Sequence, residues 1–172
     1  MKKFTFFNIF LFFVFFSNIS FSEDNKIIFG KANVIDGDTI KISGISIRLF
    51  GIDAPERKQI CSIKNQSYNC GLKSTEFLQS FITGRKVECS YKNLDKYGRI
   101  IGKCISHFKS ANSLKTESIR LNWLMVRYGH AIEYKRYSKG EYSKAENLAK
   151  KEKRGIWRGK FDKPEDWRRK YK

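Results

Sequence analysis

Asp36-Gly37-Asp38-Thr39-Ile40-Lys41-Ile42-Ser43-Gly44-Ile45-Ser46-Ile47-Arg48-Leu49-Phe50-Gly51-Ile52-Asp53-Ala54-Pro55-Glu56 contains two short runs in which apolar and polar residues alternate, punctuated by carboxylates and one arginine. The runs Thr39–Ser43 and Ile45–Ile52 carry the β-branched, period-two pattern of strands, with Gly44 at the turn between them. Asp38, Asp53 and Glu56 therefore fall at strand ends, where a rigid scaffold can hold loop-borne groups in fixed geometry. Strict alternation would put Arg48 and Asp53 on opposite faces of one strand. For the two to share a site, the strand must end or bend before Asp53, which Gly51 and the Ala54-Pro55 pair permit.

Working outward, Ile27–Ile35 reads as a preceding strand that reverses through Asp36-Gly37. Gly71–Ile82 places Leu72, Phe77, Leu78 and Phe81 near helical spacing and stops at Gly84. Lys86–Tyr91 and Arg99–Ile105 read as a hairpin. Ser113–Gly129 is rich in Leu, Ile, Val and Trp and is expected to be a second helix stopped by Gly129. Ser138–Arg154 is expected to be a third, with Ala145, Leu148 and Ala149 inward and lysines outward. Lys58–Asn69 reads as a polar loop tied by its cysteines. Five strands interrupted by a helix fit an α+β fold, a small closed β-barrel with about three packed helices.

The 172 residues suit one domain with a real core. Met1-Lys2-Lys3 followed by the Phe- and Ile-rich run Phe4–Phe16, with Ser20 and Ser22 as small residues, has the form of a signal peptide over residues 1–22. The run is short for a membrane span of roughly 20 residues, so no stable anchor is expected. Removing residues 1–22 takes two lysines and no acid from a net charge of +18, leaving +16. Such a balance attracts polyanions, nucleic acid foremost.

Four cysteines in an exported chain suggest two disulfides, with three pairings to choose from. Cys89 and Cys104 are equidistant from Lys96-Tyr97, so a hairpin turning there brings them opposite each other, and Cys61 and Cys70 are left to close the loop after Glu56. A zinc site is disfavoured because no CxxC pair is present. His107 and His130 have no partner pattern that would make a histidine-metal centre.

Asp38, Asp53 and Glu56 are hard oxygen donors of the kind calcium favours, although the full EF-hand spacing is absent, so water and a phosphate would have to complete the shell. Arg48 can hold two phosphate oxygens in one plane. Asp36-Gly37-Asp38-Thr39, then Arg48 through Glu56, then Asp95-Lys96-Tyr97-Gly98-Arg99 resemble, in order, the signatures of the thermonuclease family typified by staphylococcal nuclease. The resemblance covers roughly Phe29 to Trp157 and rests on three motifs together.

That resemblance implies a five-stranded OB-fold over 23–158, with 159–172 as a basic C-terminal extension like that of some exported bacterial members. It implies a calcium-dependent endonuclease acting on DNA and/or RNA and leaving 3′-phosphate ends. Asp38, Asp53 and the Ala54 carbonyl are the implied metal ligands, Ala54 standing where thermonucleases often carry threonine. Glu56 is implied to orient or deprotonate the attacking water, Arg48 and Arg99 to contact the phosphate with Arg99 nearer the leaving side, and Asp36 to brace the turn. Lys96, Tyr97, Tyr134 and Tyr137 are candidate substrate contacts, the last two without a choice between them.

Taken singly, these residues have ordinary readings: the aspartates as turn formers, the arginines as solvated strand residues, Glu56 as a loop cap. The rival to hydrolysis is a non-catalytic OB-type nucleic-acid-binding or adaptor module. A third class, a cationic surface-adhesive or toxin-like protein, predicts polyanion binding indifferent to calcium. The expected protein is a secreted or periplasmic monomer with no obligate protein partner.

Overall fold

The computed structural model describes residues 25–109 and 116–171. The signal-peptide segment 1–22 and residues 113–115 of the expected second helix lie outside the described residues. Five early strands are β1 (Lys26–Asp36), β2 (Thr39–Ile42), β3 (Ile45–Leu49), β4 (Ile52–Asp53) and β5 (Ile60–Ile63), followed by β6 (Gln66–Asn69) and helix α1 (Cys70–Ile82). The chain continues through β7 (Lys86–Leu94), β8 (Ile100–Lys109), β9 (Thr116–Arg120), α2 (Leu121–Arg127), β10 (Ile132–Glu133), α3 (Lys135–Ser138) and α4 (Ser143–Lys151). A 3₁₀ turn at Gly155–Arg158 and helix α5 (Pro164–Lys170) complete it.

The strand order β3-β2-β1-β7-β8 is closed by a further pairing of β3 with β8, so five strands form a ring, and β9 extends it from β8. All ring pairings are antiparallel except the closing one, which is parallel and sets Arg48 beside Ile101. This is the small barrel expected from the alternating runs. Ile40, Ile42, Ile47 and Leu49 from β2 and β3 point inward at 1% exposure or less, with Val87 and Ile100 from the neighbouring strands. Full burial of each such side chain contributes about 1.5–3 kcal/mol. Helix α1 covers β1, α2 lies on β8 and α1, and α4 lies on α2.

The turn chemistry follows from local torsions. Ser43 and Gly44, at φ 50° and 82°, form the two-residue connection of β2 to β3, the both-positive pattern that matches strand twist. Asn69 caps α1 by accepting from the Leu72 N–H at 2.7 Å. Both disulfides form in the expected pairing, Cys61–Cys70 and Cys89–Cys104, the second between directly opposed residues of β7 and β8.

Three expectations fail. Lys58–Asn69 is a hairpin rather than a loop, with Lys64 and Asn65 both at positive φ in its turn. Of the segment expected as helix from Ser113, Thr116–Arg120 is strand β9, because its β-branched residues complete the exposed edge of β8; the helix begins only at Leu121. The third helix is split: Lys139 and Gly140 sit at φ 55° and 96°, so α3 stops and α4 starts at Ser143.

Candidate active site at the β3–β4 corner

The strand does end before Asp53. Strand β3 closes at Leu49, Gly51 turns the chain at φ +72°, and β4 resumes at Ile52, which swings Asp53 back toward Arg48. Register then does the rest: Thr39 opposes Arg48 across β2 and β3, so the preceding Asp38 lies within reach of the guanidinium.

Arg48 donates through Nη1 to Asp38 Oδ1 and through Nη2 to Asp53 Oδ1, each at 2.8 Å. Asp38 is further fixed by the Thr39 hydroxyl on Oδ1 and the Ala54 backbone N–H on Oδ2, both at 3.0 Å. Asp38 and Asp53 are buried at 3% and 0% exposure, so neither carboxylate is a surface ion pair. Burial works against the Arg48 charge, but the Asp38 and Asp53 carboxylates outweigh it and hold its pKa above the ordinary guanidinium value. Burial raises Asp53 as well, against the pull of Arg168 and Arg48.

Asp36 accepts from the Asp38 N–H at 3.0 Å, an Asx-type brace of the turn, as expected. Burial, reinforced by the Asp38 charge, pushes its carboxyl up to about 6.

These groups meet a cavity of about 940 Å³. Arg48, Glu56 and Arg99 line it, together with all four candidate substrate contacts, Lys96, Tyr97, Tyr134 and Tyr137. The implied metal ligands Asp38, Asp53 and Ala54 are buried and do not line it; the two carboxylates reach it through Arg48 and Arg168, which bond them and line it. Asp95 fixes the turn that presents Arg99, accepting from Arg99 Nε at 2.7 Å and from the Tyr97 and Arg99 N–H groups. Those donors pull the Asp95 carboxyl down despite its partial desolvation.

Tyr134 arrives because β10 pairs with β4, Ile132 opposite Asp53, and the Tyr134 N–H donates to the Gly51 carbonyl at 2.9 Å. Its ring lies 5.1 Å from that of Tyr137, so the pair forms one aromatic wall. The loop that carries them is tied down by Glu133, which accepts from the Ser138 hydroxyl, the Tyr142 N–H and the Ser143 hydroxyl.

Among the described residues, no group of three or more His, Cys, Asp or Glu side chains is placed to hold a metal ion. What the corner offers is two buried hard-oxygen carboxylates sharing one guanidinium, with Glu56 at the rim. That donor chemistry fits an open cation site that takes its remaining ligands from water and phosphate.

One site residue escapes the sequence reading altogether. Arg168 of α5 donates through Nη1 to Asp53 Oδ1 at 3.0 Å and Glu56 Oε1 at 2.7 Å, and through Nη2 to Asp53 Oδ2 at 3.0 Å. Nothing in Trp167-Arg168-Arg169 distinguishes one arginine from the next, and only the docking of α5 selects Arg168.

The model of the family described as staphylococcal nuclease homologue matches residues 46–159. A succinoglycan biosynthesis protein, ExoI, of Rhizobium meliloti is 35% identical over 133 residues, 76% of this chain and 65% of its own length. An uncharacterized endonuclease of Escherichia coli is 33% identical over 72% of each chain, and a micrococcal nuclease of Shigella flexneri is 28% identical over 79% of this chain and 77% of its own. Arg168 lies beyond the matched range. With three ordered motifs, a closed five-stranded ring and a match over most of its length, the chain belongs to the staphylococcal nuclease family, a family of nucleic-acid hydrolases.

Proposed function

We propose that this protein is a calcium-dependent endonuclease that hydrolyses phosphodiester bonds of DNA and/or RNA and leaves 3′-phosphate ends. The observation that carries this reading is the convergence of Asp38, Arg48 and Asp53 in one hydrogen-bonded cluster, joined to Glu56 through Arg168, on a cavity that Arg99 also lines.

Asp38 and Asp53 would hold the cation, with the Ala54 carbonyl as a further ligand. Bound calcium supplies charge neutralisation and polarisation of the scissile phosphate. Glu56 orients a water and takes its proton as the water oxygen bonds to phosphorus. The bond to the 5′ oxygen breaks, and that oxygen departs with a proton from solvent. Arg48 and Arg99 bind the phosphate oxygens, Arg99 on the leaving side. A positioned base contributes about 10²–10⁴-fold, so charge stabilisation by the arginines and the cation carries much of the remainder.

Tyr97 and Tyr137 are 68% and 54% exposed; with Lys96 and Arg99 beside the Tyr97 ring and Tyr134 beside Tyr137, they supply aromatic surface next to cationic groups, the combination that stacks unpaired bases. Lys96 contributes a cationic contact to the backbone, and the +16 mature charge gathers substrate.

Two disulfides fit an oxidising compartment, and no helix among the described residues is long and apolar enough to cross a membrane. We place the mature protein, as a monomer, outside the cytoplasm after loss of residues 1–22.

The test is incubation of the mature protein with single-stranded DNA, duplex DNA and RNA, in calcium or in chelator. Cleavage to 3′-phosphate ends that chelator abolishes is the expected result. Tight binding without scission would instead identify a binding module.

A further inference from the structure

Among the groups outside the matched family range, Arg168 stands out because it occupies the carboxylates assigned above to the chemistry. Its fork covers Asp53 on both oxygens and reaches Glu56 with the same Nη1. Asp53 Oδ1 is shared with Arg48, whereas Asp53 Oδ2 has Arg168 Nη2 as its partner. A cation that coordinates Asp53 in a bidentate manner, or through Oδ2, therefore needs the place the Arg168 guanidinium holds.

The two arginines differ in what holds them. Arg48 is held on a barrel strand and bridges Asp38 as well as Asp53. Arg168 rides on a seven-residue helix outside the barrel and its second carboxylate, Glu56, is 32% exposed at the cavity rim, so its bonds can be exchanged there without breaking a contact to Asp38.

The segment that leads into the helix is tied to the β5–β6 hairpin. Ser62 and Lys160 exchange backbone hydrogen bonds at 3.0 and 2.9 Å, the Gln59 side chain donates to the Asp162 carbonyl at 2.7 Å, and Trp157 and Phe161 pack on the Cys61–Cys70 cluster. The tail is thus anchored on the disulfide hairpin, and this anchor presents Arg168 to Asp53 and Glu56.

We infer that Arg168 is a built-in counter-ion of the Asp53–Glu56 carboxylate pair, a positioning residue that a divalent cation displaces from Asp53 on binding. The inference rests on the cation reading of the site given under the proposed function. In the resting protein the guanidinium keeps two close carboxylates paired and oriented, since an unpaired buried charge is strongly unfavourable. Removing it should leave an excess of negative charge that a divalent cation can satisfy without competition.

The experiment is isothermal titration of the folded, mature, disulfide-intact protein with calcium alone, without nucleic acid, comparing the native chain with Arg168→Gln and Arg168→Lys. Gln removes the charge; Lys keeps it but loses the two-pronged contact. Calcium affinity should tighten by about tenfold or more in Arg168→Gln, where tenfold corresponds to 1.4 kcal/mol, and by less in Arg168→Lys.

Equal or weaker binding by Arg168→Gln, with circular dichroism matching the native chain, would make Arg168 a fixed support and overturn the inference while leaving the cation reading intact. Absence of calcium binding in all three proteins would overturn both. Should Arg168→Gln fail to fold, the Lys variant decides: tighter binding than native supports displacement, and unchanged or weaker binding refutes it.

Discussion

Replacing Gly71 by alanine sets two physical rules against each other at one atom. Gly71 is the second residue of α1, where helix propensity favours alanine by up to about 1 kcal/mol. A Cβ built there would lie 1.7 Å from the Glu56 carbonyl oxygen, 2.5 Å from the Glu56 carbonyl carbon and 2.9 Å from that of Arg57. All three atoms are backbone, so no side-chain rotation relieves the overlap.

Ordinary contact begins near 3.5 Å, so the Glu56–Arg57 backbone and the start of α1 must part by about 1.5–2 Å. Helix α1 is held in the core by Leu78 and Ile82 and by the Ser74 hydroxyl on the His130 carbonyl, so the loop bearing Glu56 is the part that yields. Overpacking of this kind costs about 1–3 kcal/mol, and the severity of the overlap places Gly71→Ala at the upper end, a net loss of about 2 kcal/mol after the propensity gain. A displacement of the base by more than 1 Å should lower cleavage by about 10²-fold. Urea denaturation and a cleavage assay on the same preparation measure both. A variant stabilised by about 1 kcal/mol with native cleavage would show that propensity wins and that the loop does not depend on this contact.

Three further outcomes follow from the same structure. Asn122→Ala removes the acceptor of the Cys104 N–H and the donor to the Phe50 and Gly102 carbonyls; Gly102 keeps Phe50 N–H, so two groups lose a partner and urea denaturation should show a loss of about 2–6 kcal/mol. Replacing Cys89 and Cys104 together by alanine opens a closure of 15 residues, and thermal unfolding should show a loss of about 3 kcal/mol. His130 is lowered to about 4 by burial and then by Arg158, from 6.5 when unfolded. Between those values the unfolded chain binds the extra proton, so stability falls as pH drops from 6.5 toward 4, with a slope of at most about 1.4 kcal/mol per pH unit. Asp36, raised to about 6, contributes with the opposite sign, so the His130 share is read as the difference between native and His130→Phe in urea denaturation across that range.

Period-two alternation made β1, β2, β3, β7 and β8 legible because each strand of a closed barrel buries one face and the pattern reports burial directly. The Cys89–Cys104 pairing was readable for a related reason, since hairpin symmetry fixes which residues oppose. Thr116–Arg120 misled because its apolar load belongs partly to the following helix, and pairing with the free edge of β8 decided the matter. The split at Lys139-Gly140 follows from the Glu133 network, which draws Ser138, Tyr142 and Ser143 onto one carboxylate and so requires a tight turn. Asp38, Arg48, Asp53 and Glu56 lie within 19 consecutive residues, so local register was enough to bring them together. Arg168 was not legible for the converse reason: 115 residues separate it from Asp53, and the contact depends on where the tail docks.

The central claim is that the Glu56 carboxylate acts on the attacking water at a site assembled by Asp38, Arg48 and Asp53. The most direct measurement is the single-turnover cleavage rate of Glu56→Gln at saturating nucleic acid and calcium. A fall of about 10²–10⁴-fold with substrate affinity within a few-fold of native is predicted, whereas a rate equal to that of the native chain would contradict the account.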